Sequence, residues 1–253
     1  MTEPTWFHEL LATGDAEGLA RAFAGEPAID DPRAGRVRGI DATRAYVLDA
    51  AMWMAGLDAS VEAVHSTRTE QRHVDEAVLH LALPDGRWAL PVTVVSDRDG
   101  DAIGAVRVYH SMWPLLGEHR VREPLLEPDP TIELTGAPAD YMRALAAGDV
   151  EGIMAAYEPD AVVREPSGGP YTYAGADRIR EIYTAMFSAG GGIRLAFCTA
   201  TDDGTACAVE FVALRWGHHE LPRQAGVAVY ERGSSGRLAA ARIYDDVTPP
   251  PFG

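Results

Sequence analysis

A glycine-aspartate step occurs twice in this chain, and each time an acid followed by proline stands 17 residues after the glycine. The first stretch runs from Phe7 to Asp31, FHELLATGDAEGLARAFAGEPAIDD. The second runs from Tyr141 to Glu165, YMRALAAGDVEGIMAAYEPDAVVRE. Gly14-Asp15 and Gly148-Asp149 occupy matching places, and Asp31-Pro32 and Glu165-Pro166 close the two copies. Later segments keep the register, since Arg107-Val108-Tyr109-His110 matches Arg242-Ile243-Tyr244-Asp245. A repeat unit of about 120 residues fixes the organisation, because each copy must bury its own core. The expected domains are 1–115 and 137–253, joined by a linker over 116–136.

At 253 residues the length suits two domains of ordinary size. A hydrophobic fraction of 47% with 24% charged residues is that of a globular chain. The formal net charge of −16 argues against nucleic acid or an anionic membrane surface as a partner. No apolar run approaches the roughly 20 residues of a membrane span. The acidic start, MTEPTWFHEL, is unlike a basic export signal, so the cytoplasm is the expected location. Cys198 and Cys207 flank a turn-like Thr201 to Gly204 and could face each other across a hairpin, but read as reduced thiols. Neither has His or Cys neighbours at zinc spacing, and no metal is expected.

Apolar spacing predicts helices from Pro4 to Gly14, Ala16 to Phe23 and Asp41 through Trp53, with Asp15 and Asp41 as caps. A short strand at Ala28 to Asp31 and a turn-rich loop at Arg33 to Arg38 lie between them. From Ser60 the period falls to two, giving strands at Val61 to His65, Ala77 to Leu83, Leu90 to Val95 and Ile103 to Tyr109. The second half repeats the order: helices from Pro138, from Asp149 and over Ala176 to Phe187, with a short strand at Ala161 to Glu165. Strands follow at Ile193 to Ala200, Ala206 to Trp216, Gln224 to Tyr230 and Leu238 to Tyr244. Helices followed by a strand meander make an α+β fold, not an alternating βαβ one.

The second half carries the motif Y-x3-L-x2-GD-x2-G-I, an acid-Pro pair, then Gly and I-R-E-x-Y. Here these are Tyr141, Leu145, Gly148-Asp149, Gly152-Ile153, Glu165-Pro166, Gly175 and Ile179-Arg180-Glu181-x-Tyr183. It resembles the ketosteroid isomerase and SnoaL-like branch of the nuclear transport factor two-like superfamily over 138–246, and more weakly over 4–112. The resemblance implies two tandem cone-shaped α+β barrels, each with three N-terminal helices packed on a curved, mainly antiparallel sheet. It implies cofactor-free acid–base chemistry on a small hydrophobic substrate, with Glu165 as base, Tyr141 as oxyanion donor and Tyr183 supporting it. The family's second acid falls on Ala228, so one donor is missing. In the first half Asp31 keeps the acid, while the tyrosine places become Phe7 and Val47 and the second-acid place Thr93.

Polyether epoxide hydrolases of the same superfamily pair the acid-Pro carboxylate with a strand carboxylate. That resemblance implies an Asp31–Glu62 pair in the first half, with Arg194 where the second half would need its equivalent. Two carboxyls in one pocket split their pKa values into an acid and a base. His80 and Arg215 occupy matching strand places, as do His110 and Asp245, and all four are candidate polar groups of the cone interior. His218-His219 reads as an exposed turn. The leading expectation is a cyclase or isomerase acting on an oxygenated, polyketide-like molecule. An epoxide hydrolase or ether cyclase, and a binding module without chemistry, stand beside it. The two domains are expected to pack as a pseudo-dimer, with a further homodimer left open.

Overall fold

The repeated glycine-aspartate step is a corner between two helices. In the computed structural model, which describes residues 3–188 and 190–249, Gly14 ends helix α1 (Trp6–Thr13) with φ at 70°. A residue with a Cβ is disfavoured in that left-handed conformation. Asp15 then caps α2 (Ala16–Arg21) by accepting from the Gly18 N–H at 2.8 Å. The second copy does the same. Gly148 ends α5 (Gly136–Ala147), and Asp149 caps α6 (Val150–Ala156) through the Gly152 N–H at 3.0 Å.

The chain divides into two units, at Glu118 and His119. The first continues with β1 (Ala28–Asp31), β2 (Gly35–Arg38) and α3 (Ile40–Gly56). The meander β3 (Ser60–Arg68), β4 (Arg72–Leu83), β5 (Gly86–Asp99) and β6 (Ala102–Tyr109) follows, then a short α4 (Trp113–Leu116). The second continues with β7 (Tyr157–Arg164), β8 (Thr172–Ala174), α7 (Ala176–Met186), β9 (Ile193–Asp202), β10 (Ala206–Trp216), β11 (His219–Arg232) and β12 (Leu238–Tyr244). Each unit holds one six-stranded sheet, ordered β2-β1-β6-β5-β4-β3 and β8-β7-β12-β11-β10-β9. The joints β1–β6 and β7–β12 are parallel; the others described are antiparallel. Register shifts in each meander, at Ala63/His65 and Asp97/Arg98 and at Glu210/Phe211, Ala213/Arg215 and Glu231/Arg232, add bend and twist.

One face of each sheet and the helices enclose an apolar core. The first core gathers Phe7, Leu19, Val47, Leu79, Val92 and Val106. The second gathers Tyr141, Ile153, Ile179, Val209, Phe211 and Leu238. Both units are α+β, as the helix-then-meander order predicts.

Strands run longer than apolar alternation suggests. β4 begins at Arg72 rather than Ala77, because its polar residues find cross-strand partners such as Asp97, 2.7 Å from Arg72 Nε. The expected loop at 33–38 is the β1–β2 hairpin, turned at Gly35 with φ at 75°. β11 starts at His219, which pairs with Trp216, so only Gly217 and His218 form the turn.

Residues 119–135 belong to the second unit. The Ala225 N–H donates to the Arg122 carbonyl at 2.8 Å and the Asp129 N–H to the Phe197 carbonyl at 2.8 Å. Asp246 accepts from the Arg120 N–H at 2.7 Å and pairs with His119 at 2.9 Å. Both cysteines are free, and Cys207 pairs across the sheet with Asp202, so the two do not face each other. Among the described residues no helix is long and apolar enough to cross a membrane, and no group of three metal-binding side chains forms.

Gly192 is the tightest backbone crossing. A Cβ there would lie 1.9 Å from the Leu145 carbonyl oxygen and 2.4 Å from the Gly148 nitrogen, at the end of α5. Gly192→Ala should therefore cost about 2–4 kcal/mol in urea unfolding, through forced backbone movement. Gly104→Ala on β6, whose Cβ would meet nothing nearer than 3.8 Å, should cost less than about 1 kcal/mol.

Candidate functional site

Parallel strands end on the same side of a sheet, so residues just past the ends of β7 and β12 converge. Arg164 pairs with Arg242, which places Glu165 one step beyond β7 and Asp245 one step beyond β12. Val163 and Ala241 lie in the core, so alternation turns both carboxyls inward. A tight loop fixes Glu165: its N–H donates to the Tyr171 carbonyl at 2.9 Å, and its carbonyl accepts from the Gly168 N–H at 3.0 Å.

Burial pushes the Glu165 carboxyl up to about 8, with the Asp245 charge adding to the rise. Asp245 is raised to about 7, again chiefly by burial; the Val247 N–H opposes this and Asp246 adds to it. Both residues keep partial solvent contact along their length, while the carboxyls lie deep among protein atoms. Two like charges repel, so ionisation of Asp245 makes that of Glu165 harder. The resemblance implies no second-half carboxylate at the place of Glu62, where Arg194 stands, and names Asp245 only as a polar group of the cone interior. The structure supplies Asp245, from the end of β12.

A cluster of phenols flanks the pair. Tyr141 on α5 and Tyr183 on α7 are hydrogen-bonded at 2.8 Å, and Tyr157 at the start of β7 reaches Tyr183 at 3.3 Å. All three are buried, and the Tyr230 ring packs 5.1 Å from that of Tyr141. Burial raises the Tyr141 phenol, hydrogen bonds from Tyr183 and Tyr157 lower it, and Glu165 raises it. Tyr183 and Tyr157 are raised well above the ordinary value, chiefly by burial. When Tyr183 donates in the bond between them, the Tyr141 hydrogen is free to be offered to a developing oxyanion.

Ala228 lies in the core on β11, where it can donate nothing. Two residues earlier, Gly226 makes room for the pair. A Cβ there would meet the Phe211 ring at 2.5 Å and the Asp245 Cβ at 2.9 Å. An acid absent from position 228 is thus present beside Gly226, supplied from just past the end of β12.

The first unit builds a different site on the same frame. Asp30 pairs with Arg107, which brings Asp31 and His110 to the corresponding corner. Asp31 accepts from the Arg33 and Ala34 N–H groups, both at 2.8 Å, and from the Tyr46 hydroxyl at 3.1 Å. Phe7 and Val47 fill the core, as the missing tyrosines imply, yet Tyr46 supplies a phenol from the next position on α3. His8 is buried beside them. Burial and His110 lower its imidazole to about 4, against the attraction of Asp31, so it is neutral at pH 7. Asp31, His8, Tyr46, His110 and Arg33 line a cavity of about 30 Å³.

Three expected neighbours lie elsewhere. Glu62 does not pair with Asp31; its carboxylate is 2.6 Å from His80 Nε2, and both side chains are substantially exposed. Leu79 and Leu81 take the core face of β4, so His80 points away from it. Arg215 is likewise turned outward, because the next residue, Trp216, is in the core and donates to the Met186 carbonyl at 2.9 Å. The bulge at Ala213/Arg215 changes the facing of β10 just before Arg215. His8, Tyr46, Tyr157 and Tyr230 were not singled out by sequence. Only Tyr46 carried a signal, by standing one residue from the expected place.

Residues 139–241 match the family model of the SnoaL-like domain, so the second unit carries such a domain, as its motif implies. No curated protein matches the chain. Among solved structures, a proposed polyketide cyclase from Sinorhizobium meliloti is 20% identical, over 44% of this chain and 94% of its own, with a TM-score of 0.37. SalBIII, described as an epoxide hydrolase/cyclase-like enzyme in pyran ring formation of the polyether salinomycin, is 21% identical, over 45% and 90%, at 0.37. An epoxide hydrolase of M. tuberculosis is 22% identical, over 44% and 80%, at 0.37.

The raised acid pair has a consequence for stability. A carboxyl whose folded pKa of about 8 exceeds its unfolded value near 4.5 holds a proton the unfolded chain releases. Its stabilising contribution is complete below pH 4.5 and is lost as pH rises through 8. Glu165→Gln should therefore leave the Tm nearly unchanged at pH 5 and raise it relative to the parent at pH 9, as read by thermal unfolding.

Proposed function

We propose that the second unit is a cofactor-free acid–base enzyme, a cyclase or isomerase acting on an apolar, oxygenated small molecule of polyketide type. The observation that supports this most is the buried Glu165–Asp245 pair beside the Tyr141–Tyr183–Tyr157 phenols. The SnoaL-like match over the same residues agrees with it.

The reaction follows from one shared proton. The ionised member of the pair takes a proton from carbon next to a carbonyl. The bonding electrons move to the carbonyl oxygen, giving an enolate held by the Tyr141 hydroxyl. The neutral carboxyl supplies the second donor, in the manner of a carboxylic acid kept protonated by an apolar site. In isomerisation the captured proton returns at the far end of the double bond. In cyclisation the enolate carbon attacks a second carbonyl, and the resulting alkoxide takes a proton from the pair. No cofactor is consumed in either route.

A second reading is favoured by the first unit's cavity. A space of about 30 Å³ next to Asp31, His8 and Tyr46 has room for an ordered water. Asp31 would take a proton from that water as the water oxygen bonds to an epoxide carbon; the C–O bond breaks, and the resulting alkoxide takes that proton back from Asp31, without the Glu62 partner that the resemblance implied.

Conversion of 3-cyclohexen-1-one to its conjugated isomer, followed by absorbance, tests the first reading. Its kcat/KM should trace a bell, falling below pH ~7 where both acids are protonated and above pH ~8 where both are ionised. Glu165→Gln and Asp245→Asn should each lower it by ~10²–10⁴, and Tyr141→Phe by ~10²–10³. If Asp31→Asn alone removes turnover, and styrene oxide is the substrate consumed, the second reading holds instead. Ligand binding unaltered by Glu165→Gln, with no turnover on either probe, would mark a binding module.

A further inference from the structure

Gln224 is a buried amide that the chemistry above leaves unused. It lies on β11 opposite Ala213, four residues before Ala228, and both alanines are in the core. Alternation therefore turns Gln224 inward, while its neighbour Arg223 is exposed and pairs with Glu127 on the other face. Gln224 is only 2% exposed, yet its Oε1 is buried with no partner among the described residues. A buried amide oxygen without a partner is destabilising, and most such groups in folded proteins are paired. Its place in the site is set by Gly226, the next inward position, where a Cβ would fall 2.9 Å from that of Asp245. Gln224 thus stands one inward step beyond Asp245, about 7 Å further along the strand.

We infer that Gln224 is a specificity residue whose amide binds a hydroxyl of the substrate, one ring-width from the carbon that reacts at the acid pair. This rests on the reading of the second unit as an acid–base site and narrows its substrate class. A hydroxyl both donates and accepts, so it complements the amide in either orientation of its oxygen and nitrogen. The substrate is then a ring ketone or phenol carrying a second, distal hydroxyl. A hydrocarbon frame with a single oxygen would leave the amide unpaired.

Two naphthols separate this inference from the reading beneath it. 2-Naphthol offers one planar oxygen to Tyr141 and the acid pair, and 2,6-dihydroxynaphthalene adds a distal hydroxyl. Fluorescence titration of the whole chain should give a Kd roughly tenfold lower for the diol, as one added hydrogen bond implies. Gln224→Leu should erase that advantage, leave the 2-naphthol Kd unchanged and not lower the Tm, since an unpaired amide is replaced by an apolar group of similar size. Gln224→Met should do the same if leucine packs poorly. An advantage that survives both substitutions, or never exists in the parent, overturns the role of Gln224 while 2-naphthol binding keeps the acid–base site standing. An equal loss of both ligands, or a lower Tm in both variants, assigns Gln224 to structure and also overturns it. If 2-naphthol does not bind the parent chain, the site reading fails and the inference fails with it.

Discussion

Each sheet contains a parallel joint, β1 with β6 and β7 with β12, and the site depends on it. An antiparallel joint would send the two strand ends to opposite edges. A parallel one delivers residues far apart in sequence to one corner: Glu165 with Asp245, and Asp31 with His110. Helices cover that corner: α5 and α7 bring Tyr141 and Tyr183 to it, and α1 and α3 bring His8 and Tyr46. What reaches the corner is apolar except for a few polar groups. Its low polarity raises the carboxyls and phenols of the second unit and lowers His8 in the first.

The two corners have diverged in chemistry while keeping one geometry. The second presents two acids and three linked phenols, a set able to hold and return one proton. The first presents one acid, already satisfied by two backbone N–H groups and Tyr46, facing the imidazoles of His8 and His110. An acid facing a neutral histidine lacks the like-charge repulsion that splits a carboxyl pair. The substitution of Asp245 by His110 at the matching place therefore removes that repulsion from the corner.

Much of this was legible in the sequence. The duplication, the corner glycines, the order of helices and strands, and the separate placement of Glu165, Tyr141 and Tyr183 follow from spacing alone or from spacing with a family motif. The pairing of Glu165 with Asp245 did not, because 80 residues separate them and the missing acid at Ala228 drew attention to the wrong strand. Tyr46 was missed because the helical position moved by one residue, from Val47. Glu62 was placed inside by the resemblance, and His80 and Arg215 by their matching places in the two halves; for Arg215 a bulge just before it undoes that placement. One extra residue in a strand reverses which face the following side chains take, and no residue type at Ala213/Arg215 announces the shift.

The central claim is that Glu165 and Asp245 share a proton near neutral pH. Carbon-13 NMR of side-chain carboxyls, titrated in the parent and in Asp245→Asn, tests it most directly. The account predicts two coupled transitions well above the ordinary carboxylate range in the parent. In the variant a single Glu165 transition should be shifted down by loss of the neighbouring charge, yet held above normal by burial. Two independent transitions near 4, or a Glu165 transition indifferent to Asp245, would contradict it.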